Sequence, residues 1–290
     1  MYPASFDYHC PGSLEELFAI QAECGAEARL LAGGFSLVPA MKFRLAVPDH
    51  VIDLRKIPEL QGIRSQGDDL VIGAMTTHYA VESSDVVKRW YASLAKAASV
   101  IADPQVRNRG TMGGSLCFCD PNADYPACIL AFDAQLVALN VHGRRTIRAE
   151  NWVVGPMTTA LNDDEILTEI RFPRPSRRSG TAYVKILHPA SRFATVGVAA
   201  YVSIGEDGRT EIVRVGITGA ANGACRPHEL ERKLSGLAFK TDILEELCRE
   251  ELGEIEFPDD HLLTANDRLE LCRAATRNAL AAALSEAASK

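Results

Sequence analysis

Two short segments with adjacent glycines constrain this chain more than any other feature: 32–36 (AGGFS) and 111–115 (TMGGS). Glycine has no Cβ and adopts positive φ, so the backbone amides around it can converge on an anion. Ser36, Thr111 and Ser115 add hydroxyl donors at the same places. Either segment alone is more simply a tight turn. Together, in one half of the chain, they favour a ligand with two phosphates, such as a dinucleotide.

Neither segment belongs to the two best-known classes of phosphate-binding glycine motif. A P-loop would continue into Gly-Lys-Ser/Thr, and the nicotinamide-binding turn of a Rossmann fold would read G-x-G-x-x-G. Both patterns are missing at these positions. The glycine segments therefore predict a dinucleotide site in a different kind of fold.

The first part of the chain mixes helices and strands. Ser13 and Glu16 match a capping box, which predicts a helix that ends at Gly25. Apolar spacing predicts a helix over 86–102, and 103–115 is predicted to be a loop. The other predicted elements are strands at 28–32, 50–54, 69–74, 136–141, 145–148 and 166–172, a short helix or irregular turn at 37–45, and a helix at 125–132.

The segment 173–180 (PRPSRRSG) predicts an extended, solvated linker, because it combines two prolines, a charge run and a closing glycine. The order of elements changes beyond it, with three strands followed by helices. That order indicates an α+β domain rather than a parallel α/β one. The predicted elements are strands at 182–187, 194–204 and 211–218, a hairpin turn at 206–209, and helices at about 228–235, 241–251 and 266–286.

Composition excludes several classes of function. The formal net charge of -7 argues against a general nucleic-acid binder, which needs a basic face. No run reaches the roughly 18 apolar residues of a membrane-spanning helix, and the opening residues lack the pattern of a secretory signal. We therefore expect a cytoplasmic chain with no transmembrane segment.

The eight cysteines are scattered and include no C-x-x-C pair, so they are expected to be reduced and packed as small hydrophobes. Cys117, Cys119 and Cys128 are the one local group. A metal or Fe–S site there is the weaker alternative, because the ligand spacing is wrong. No metal site is predicted.

Two long stretches, AGGFSLVPAMKFRLAVPDHVIDL and VIADPQVRNRGTMGGSLCFCDPNADYPACILAFDA, closely resemble the FAD-binding subunit of molybdenum hydroxylases. Within that family the resemblance is strongest to the medium subunit of aerobic carbon monoxide dehydrogenase and weaker to the FAD domain of xanthine dehydrogenase. It implies α+β architecture: a two-part FAD-binding domain of the vanillyl-alcohol-oxidase (PCMH) type over 1–176. A small C-terminal domain, with a three-stranded antiparallel sheet and helices, would cover 177–290.

The resemblance implies noncovalent FAD, with its diphosphate held between the two glycine segments. Asp124 matches an acid that contacts the cofactor, and Ile101 an apolar side chain at the adenine end. Leu167 and Lys185 match flavin contacts, and Phe193 an aromatic position near the isoalloxazine ring. The full set of implied cofactor-binding residues is Ala32, Gly33, Gly34, Phe35, Ser36, Leu37, Ile101, Thr111, Gly113, Gly114, Ser115, Asp124, Leu167, Lys185 and Phe193.

Several of these residues also have plain structural interpretations. Asp124 could cap a helix, Lys185 could be a solvated surface charge, and Phe193 could fill the contact between domains. Leu167 and Ile101 would be core residues in any fold. Two nearby arginines, 107 and 109, could hold phosphate or pair with acids.

The sequence departs from the family pattern at three places. Phe35 and Asp103 stand where members of the family often have histidine, and Cys117-Phe118-Cys119 replaces a run that usually reads Ala-His-Ala. A polar role for the side chain at position 35 is therefore lost. The environment of the flavin edge is expected to be richer in thiols.

The implied function is electron transfer within a multi-subunit molybdenum hydroxylase. The partners would be a large molybdopterin-binding subunit and a small [2Fe–2S] subunit, in a dimer of heterotrimers. No catalytic acid or base is expected on this chain, because the flavin carries the redox chemistry. A stand-alone FAD oxidoreductase and a flavin-less assembly subunit remain as alternatives.

Overall fold

The computed structural model describes residues 2–220, 222–238 and 241–290. The chain opens with a three-stranded parallel sheet in which β3 lies between β1 and β2. The elements of this sheet and its helices are β1 (Asp7–His9), α1 (Leu14–Cys24), β2 (Ala28–Leu31), α2 (Leu37–Lys42) and β3 (His50–Asp53). Short 3-10 turns occur at Gly25–Glu27, Leu54–Lys56, Pro58–Leu60 and, later, Ala149–Asn151.

Helix α1 begins and ends where the sequence predicts. The Ser13 hydroxyl accepts a hydrogen bond from the amide of Glu16, and Gly25 ends the helix with φ of +59°. The second half of the predicted capping box is different: the Glu16 carboxylate accepts from the amide of Gly12, at 2.6 Å, instead of from Ser13. The effect is the same, because each side chain still satisfies an amide at the helix start.

A five-stranded antiparallel sheet with helices follows, and its strand order is β4-β5-β10-β6-β7. The indole of Trp152 is fully buried here and donates to the carbonyl of Leu116. The elements are β4 (Ile63–Gln66), β5 (Asp69–Gly73), α3 (His78–Ser83), α4 (Asp85–Trp90), α5 (Ala92–Ser99), α6 (Pro104–Arg107), α7 (Met112–Phe118), α8 (Tyr125–Ala131), β6 (Gln135–Asn140), β7 (Gly143–Arg148), β8 (Val153–Gly155), β9 (Thr158–Thr159) and β10 (Ile166–Pro173).

The prediction of a single helix over 86–102 is wrong, because the helix is interrupted at Tyr91 and divides into α4 and α5. Tyr91 leaves the helical conformation, with φ of -142° and ψ of 80°. Its ring is buried and stacks on Phe132 with 4.8 Å between centroids, and its hydroxyl donates to the carbonyl of Pro173. These partners lie far along the chain, so tertiary packing overrides the helical pattern.

The loop predicted over 103–115 is also only partly correct. It contains the four-residue helix α6 and the first turn of α7. Asp103 caps α6 by accepting from the amide of Val106, and Thr111 caps α7 by accepting from the amide of Gly114. The second glycine pair therefore lies inside a helix rather than in a turn.

The linker is shorter than predicted, because β10 extends through Pro173 and the next strand begins at Ser179. The intervening residues are held in place as well. The amide of Ser176 donates to the hydroxyl of Tyr201 at 3.2 Å, and the two hydroxyls are 3.1 Å apart. The connection is therefore a tethered segment of five residues, 174–178.

The last part of the chain confirms the predicted order of three strands and then helices. Its antiparallel sheet has the order β11-β12-β13. Gly208 has φ of +79° in the predicted hairpin turn. The elements are β11 (Ser179–Leu187), β12 (Ala194–Ile204), β13 (Thr210–Thr218), α9 (His228–Leu234), α10 (Thr241–Glu251) and α11 (Ala265–Ala288). Across the described ranges no helix is long and apolar enough to cross a membrane.

The sheet formed by β11, β12 and β13 is covered on both faces. All eleven residues of β12 are buried, which explains why the strand is almost continuously apolar. Val198 and Val202 face the core shared with α11, whereas Ala199 and Tyr201 join the core of the first part of the chain. The two parts therefore share one packed boundary, formed by α8 and the inner face of the sheet.

Gly216 of β13 lets α8 approach this sheet closely. A Cβ at this position would lie 2.0 Å from the carbonyl oxygen of Ala127. We expect Gly216→Ala to lower the free energy of unfolding by about 2 kcal/mol, because the backbone of α8 would have to move. Urea unfolding measures the effect. Gly155→Ala is the matched control, since its Cβ would meet nothing nearer than 4.0 Å. Equal midpoints for the two variants would contradict the close approach.

Candidate functional site

A cleft of about 810 Å³ lies beside the two glycine segments. Its size is in the range of ligand and cofactor pockets, roughly 300–1,000 Å³. Fourteen of the fifteen residues predicted to bind the cofactor line its walls. They are Ala32, Gly33, Gly34, Phe35, Ser36, Leu37, Ile101, Thr111, Gly113, Gly114, Ser115, Asp124, Leu167 and Phe193.

The first glycine segment presents a run of available backbone donors. Among the hydrogen bonds of the described chain, none uses the amide of any residue from 33 to 37. Gly34 has φ of +86°, which turns the backbone before α2 begins. The Ser36 hydroxyl makes no capping bond to its own helix. Five consecutive amides and one hydroxyl are therefore free to bind a phosphate group.

The second glycine segment is built differently, because its amides are already used. Those of Met112 and Gly113 donate to the carbonyls of Thr76 and Ala74, and those of Gly114 and Ser115 donate to Thr111. The expectation that both segments offer converging amides is therefore wrong for this one. Its available polar group is the Ser115 hydroxyl.

Close packing explains the glycines of the second segment. A Cβ on Gly113 would lie 2.6 Å from the Cβ of Ala74, and one on Gly114 would lie 3.1 Å from the Cβ of Ala32. In the first segment, a Cβ on Gly33 would lie 2.4 Å from the carbonyl oxygen of Arg109. The missing side chains therefore let the two segments pack against each other and form one continuous wall.

Asp124 lines the cleft and belongs to a buried polar cluster. Its Oδ1 accepts from the Tyr183 hydroxyl at 2.5 Å, and its Oδ2 accepts from Lys185 Nζ at 2.9 Å. Burial raises the pKa of the Asp124 carboxyl, while Lys185 and the Tyr183 hydroxyl oppose that rise. The helix-cap and surface-charge interpretations are wrong, because Asp124 makes no capping bond and the Lys185 side chain is 5% exposed.

Lys185 is the one predicted cofactor contact that does not line the cleft. Its ammonium group donates to Asp124 and to the carbonyl of Val100. Lys185 thus fixes the Asp124 carboxylate without lining the cleft itself, and it links β11 to the end of α5. Its direct contact with the flavin stays a prediction.

The other predicted residues divide between the core and the cleft surface. Leu167 is 4% exposed and belongs to the core, although it also lines the cleft. Phe193 is 44% exposed on the cleft wall, so it does not fill the contact between the domains. Arg107 pairs with Glu82 at 2.8 Å and does not line the cleft, nor does the exposed Arg109. Arg107 is therefore structural.

The three departures from the family pattern all lie on the cleft wall. Phe35 is 47% exposed, Asp103 is occupied with capping α6, and Cys117 borders the cleft. Cys119 instead turns inward, where it is buried and its thiol donates to the carbonyl of Thr158. One thiol, not two, therefore borders the cleft in this stretch.

Sequence reasoning missed His78, which lines the cleft from α3. Its Nδ1 lies 3.1 Å from the buried Tyr125 hydroxyl. Burial, together with the smaller effect of the nearby Arg107 charge, lowers the pKa of His78 to about 4. The imidazole is therefore neutral at pH 7. A lone histidine in an otherwise ordinary helical stretch gives no sequence signal for this position.

Sequence reasoning also missed most of the loop between β11 and β12. Residues 190–192 line the cleft together with Phe193. The loop is tight, because the Nδ1 atom of His188 accepts from the amides of Ala190 and Ser191. The second part of the chain thus contributes a wall of the cleft.

Comparison with known proteins agrees with this architecture. Residues 4–175 match the family model for the FAD-binding domain in molybdopterin dehydrogenase, and 181–283 match the CO dehydrogenase flavoprotein C-terminal domain. The carbon monoxide dehydrogenase medium chain of Hydrogenophaga pseudoflava is 41% identical over 84% of this chain and 85% of its own. The caffeine dehydrogenase subunit beta of Pseudomonas sp. strain CBB1 is 34% identical over 98% of this chain and 96% of its own.

A solved structure is similar over nearly the whole length. A chain of carbon monoxide dehydrogenase from Hydrogenophaga pseudoflava, in a form lacking the Mo-pyranopterin moiety, has a TM-score of 0.94 and 38% identity. The match covers 99% of both chains. The fold is therefore that of a two-part FAD-binding domain followed by a small α+β domain. The chain belongs to the family of FAD-binding subunits of molybdopterin dehydrogenases, and it is an oxidoreductase subunit.

The structure itself fits FAD, the cofactor of this family. The run of free amides at 33–37 suits an anionic diphosphate, and the glycine contacts leave the backbone bare where it borders the cleft. Ile101 and Phe193, which the resemblance places at the adenine end and near the isoalloxazine ring, line the same cleft. The resemblance, the fold class and the cofactor predicted from the sequence are confirmed. The contact of each residue with FAD remains a proposal.

We expect Lys185→Met to lower the free energy of unfolding by about 3 kcal/mol, because it leaves the buried Asp124 carboxylate without its cation. The double variant Asp124→Asn with Lys185→Met should recover at least half of this loss. Urea unfolding of the single and double variants measures both effects. Arg232→Met, which breaks an exposed pair with Glu229, is the control and should leave the midpoint unchanged. No recovery in the double variant would contradict the pairing.

The low pKa of His78 makes stability depend on pH. The folded state disfavours the imidazolium, so the unfolded chain binds more protons and stability falls as pH drops from about 6.5 towards 4. Between pH 7 and pH 5 this group should remove about 2 kcal/mol. His78→Gln should show a correspondingly smaller decrease. Urea unfolding at the two pH values, at fixed FAD concentration, provides the comparison. Equal decreases would show that His78 does not titrate in this way.

Proposed function

We propose that this chain is the FAD-carrying electron-transfer subunit of a multi-subunit molybdenum hydroxylase. It takes electrons from the [2Fe–2S] clusters of a small partner subunit and passes them to an external acceptor. Substrate is oxidised on a large molybdopterin-binding subunit, and the assembly is a dimer of heterotrimers. The observation that carries the proposal is the similarity to a carbon monoxide dehydrogenase medium chain over 84% of the sequence.

Bound FAD supplies a redox group that takes up and gives off electrons, and the residues of the chain position it. The amides at 33–37 and the hydroxyls of Ser36 and Ser115 bind the diphosphate. Asp124, fixed by Lys185, provides a charged acceptor on the wall of the cleft. The loop at 188–193 closes one side of the cleft.

An apolar surface beside the cleft supports docking of a partner. Phe43, Leu45 and Val47 are 67%, 83% and 57% exposed, all in the short segment that leads from α2 to β3. Ala46, between two of them, lines the cleft. We call residues 43–47 the rim segment. Exposed apolar side chains in one place mark contact surfaces, and this one would bring a partner close to the flavin.

The state of the cysteines supports a reducing compartment. All eight are free thiols, and Cys128, Cys248 and Cys272 are buried as small apolar side chains. Scattered cysteines that pack singly as small apolar side chains are typical of proteins in a reducing compartment. We place the chain in the cytoplasm.

Reduction of the flavin tests the function. The chain is purified alone and as a complex with co-expressed large and small subunits, and the flavin absorbance is followed under anaerobic conditions. Substrates of the related dehydrogenases, carbon monoxide and caffeine, serve as probes alongside the native substrate of the large subunit. The complex should bleach the flavin band and the isolated chain should not. Equal reduction of the isolated chain would favour a stand-alone oxidoreductase, and a chain that binds no FAD would favour an assembly subunit.

Leu45→Glu should weaken assembly of that complex while leaving FAD content unchanged, because it places a charge on the rim segment. Co-purification yield and flavin absorbance measure the two properties. Val141→Glu is the control, since Val141 is 66% exposed in the β6–β7 hairpin and does not line the cleft. Normal assembly of the Leu45 variant would rule out this surface as the docking site.

Ser36→Ala and Ser115→Ala should each weaken FAD binding about tenfold, since a hydroxyl bond to a charged group contributes roughly 1.5 kcal/mol or more. Stability without FAD should not fall, because neither hydroxyl makes a hydrogen bond within the described protein. Fluorescence titration of the flavin-free chain measures affinity. Ser65→Ala, on the exposed edge strand β4, is the control. Unchanged affinity in both cleft variants would exclude these hydroxyls as phosphate ligands.

A further inference from the structure

Three side chains of types that bind transition metals meet outside the flavin cleft: His9, Cys24 and His50. They come from three separate elements, because His9 ends β1, Cys24 ends α1 and His50 begins β3. Their donor atoms all lie within 4.8 Å of one another. In the part of the chain that the structure describes, no other group of three His, Cys, Asp or Glu side chains meets this criterion.

The strand register explains why the two histidines converge. In the parallel pairing of β1 with β3, Asp7 is opposite His50 and His9 is opposite Ile52. Alternate residues of a strand point to the same face, so Asp7, His9 and His50 share one face of the sheet. The last residue of α1 then brings the Cys24 thiol to His9 on this face. The arrangement is built by the fold and does not depend on a flexible loop.

Two of the three distances between the donor atoms are close to those of a tetrahedral metal site. With zinc–nitrogen bonds of about 2.05 Å and a zinc–sulfur bond of about 2.3 Å, the ligand atoms would be about 3.3 Å (N to N) and 3.6 Å (N to S) apart. In this structure His9 Nε2 lies 3.2 Å from His50 Nδ1 and 3.9 Å from Cys24 Sγ. The donor atoms of Cys24 and His50 lie within 4.8 Å of each other, so the thiol would move by up to about one ångström to complete the coordination.

A hydrogen-bonded pair of histidines explains only one of these contacts. The thiol is a weak donor and a weak acceptor, so a distance of 3.9 Å gives it little reason to lie here. Two imidazoles and one thiolate are instead a ligand set that suits a borderline-soft divalent cation. The three residues are half-buried, which leaves a path for an ion from solvent.

We propose that His9, Cys24 and His50 form a binding site for Zn²⁺, separate from the flavin cleft. The fourth position is filled by water or by the carboxylate of Asp7, whose Oδ2 lies 3.9 Å from His50 Nδ1. His9 belongs to β1, His50 to β3 and Cys24 to α1. The ion therefore ties the three-residue strand β1 and the end of α1 to the central strand of the first sheet.

Zinc titration of the full-length, FAD-loaded chain tests the site. Competition with a chromogenic chelator gives the affinity for Zn²⁺, and Co²⁺ in its place reports thiolate ligation through a charge-transfer band. The variants are Cys24→Ala and His50→Ala, and FAD content confirms that each one is folded. Cys10→Ala and His142→Ala are the controls, because these residues are of the same types but lie outside the cluster.

The wild-type chain should bind one Zn²⁺ and show the cobalt–thiolate band. Both cluster variants should bind at least about a hundredfold more weakly, since even residues behind a ligand cost 10–100-fold when removed. The controls should match the wild type. Amide hydrogen exchange in β1 should slow when Zn²⁺ is added to the wild type and not in the Cys24 variant. Absent binding, binding that survives in both cluster variants, or a cobalt spectrum without thiolate would overturn the proposal.

Discussion

The arrangement of the two parts of the chain depends on the hydrogen bonds and the ion pair that the buried carboxylate of Asp124 makes. This carboxylate comes from the first part and is held by the Tyr183 hydroxyl and the Lys185 ammonium group, both from β11 in the second. A charged group in such a place is costly to bury unless it is paired and hydrogen-bonded, and here both oxygens have partners. The same carboxylate borders the cleft, so domain packing and the geometry of the cofactor site are set together.

The sequence predicts the position of the cleft well but not the way its wall is built. Adjacent glycines and hydroxyl residues correctly mark both segments. They do not tell that the amides at 33–37 are free while those of Gly113 and Gly114 are used internally. The amide of Gly113 donates to the carbonyl of Ala74 across the fold. The amide of Gly114 donates to the hydroxyl of Thr111, which caps the same helix. In the second segment glycine allows close packing, whereas Gly34 in the first segment provides a positive φ. The same sequence motif therefore has two physical roles that the sequence does not distinguish.

Other errors have the same origin. The strands and helices after the linker were predictable, because their apolar patterns are strong and their turns are marked by glycine. The break at Tyr91 was not, since it depends on Phe132 and Pro173, far away in sequence. Lys185 and Phe193 are predicted through the resemblance alone, and of these two only Phe193 lines the cleft. The sequence gives no signal for His78 or for residues 190–192. Local patterns specify elements, whereas residues that meet only in the folded chain need either a known relative or the structure.

The loop at 188–193 has a consequence for when the cofactor can be captured during synthesis. This loop joins β11 to β12, and the outer face of that sheet is covered by α11, which lies well beyond the FAD-binding domain in the sequence. Because domains fold from the N-terminus as the chain emerges, the FAD-binding domain can form early. Its cleft still lacks one wall until β11, β12 and α11 have been synthesised and have packed. Tight flavin capture is therefore a late event, because it waits for a helix that lies far beyond the FAD-binding domain in the sequence.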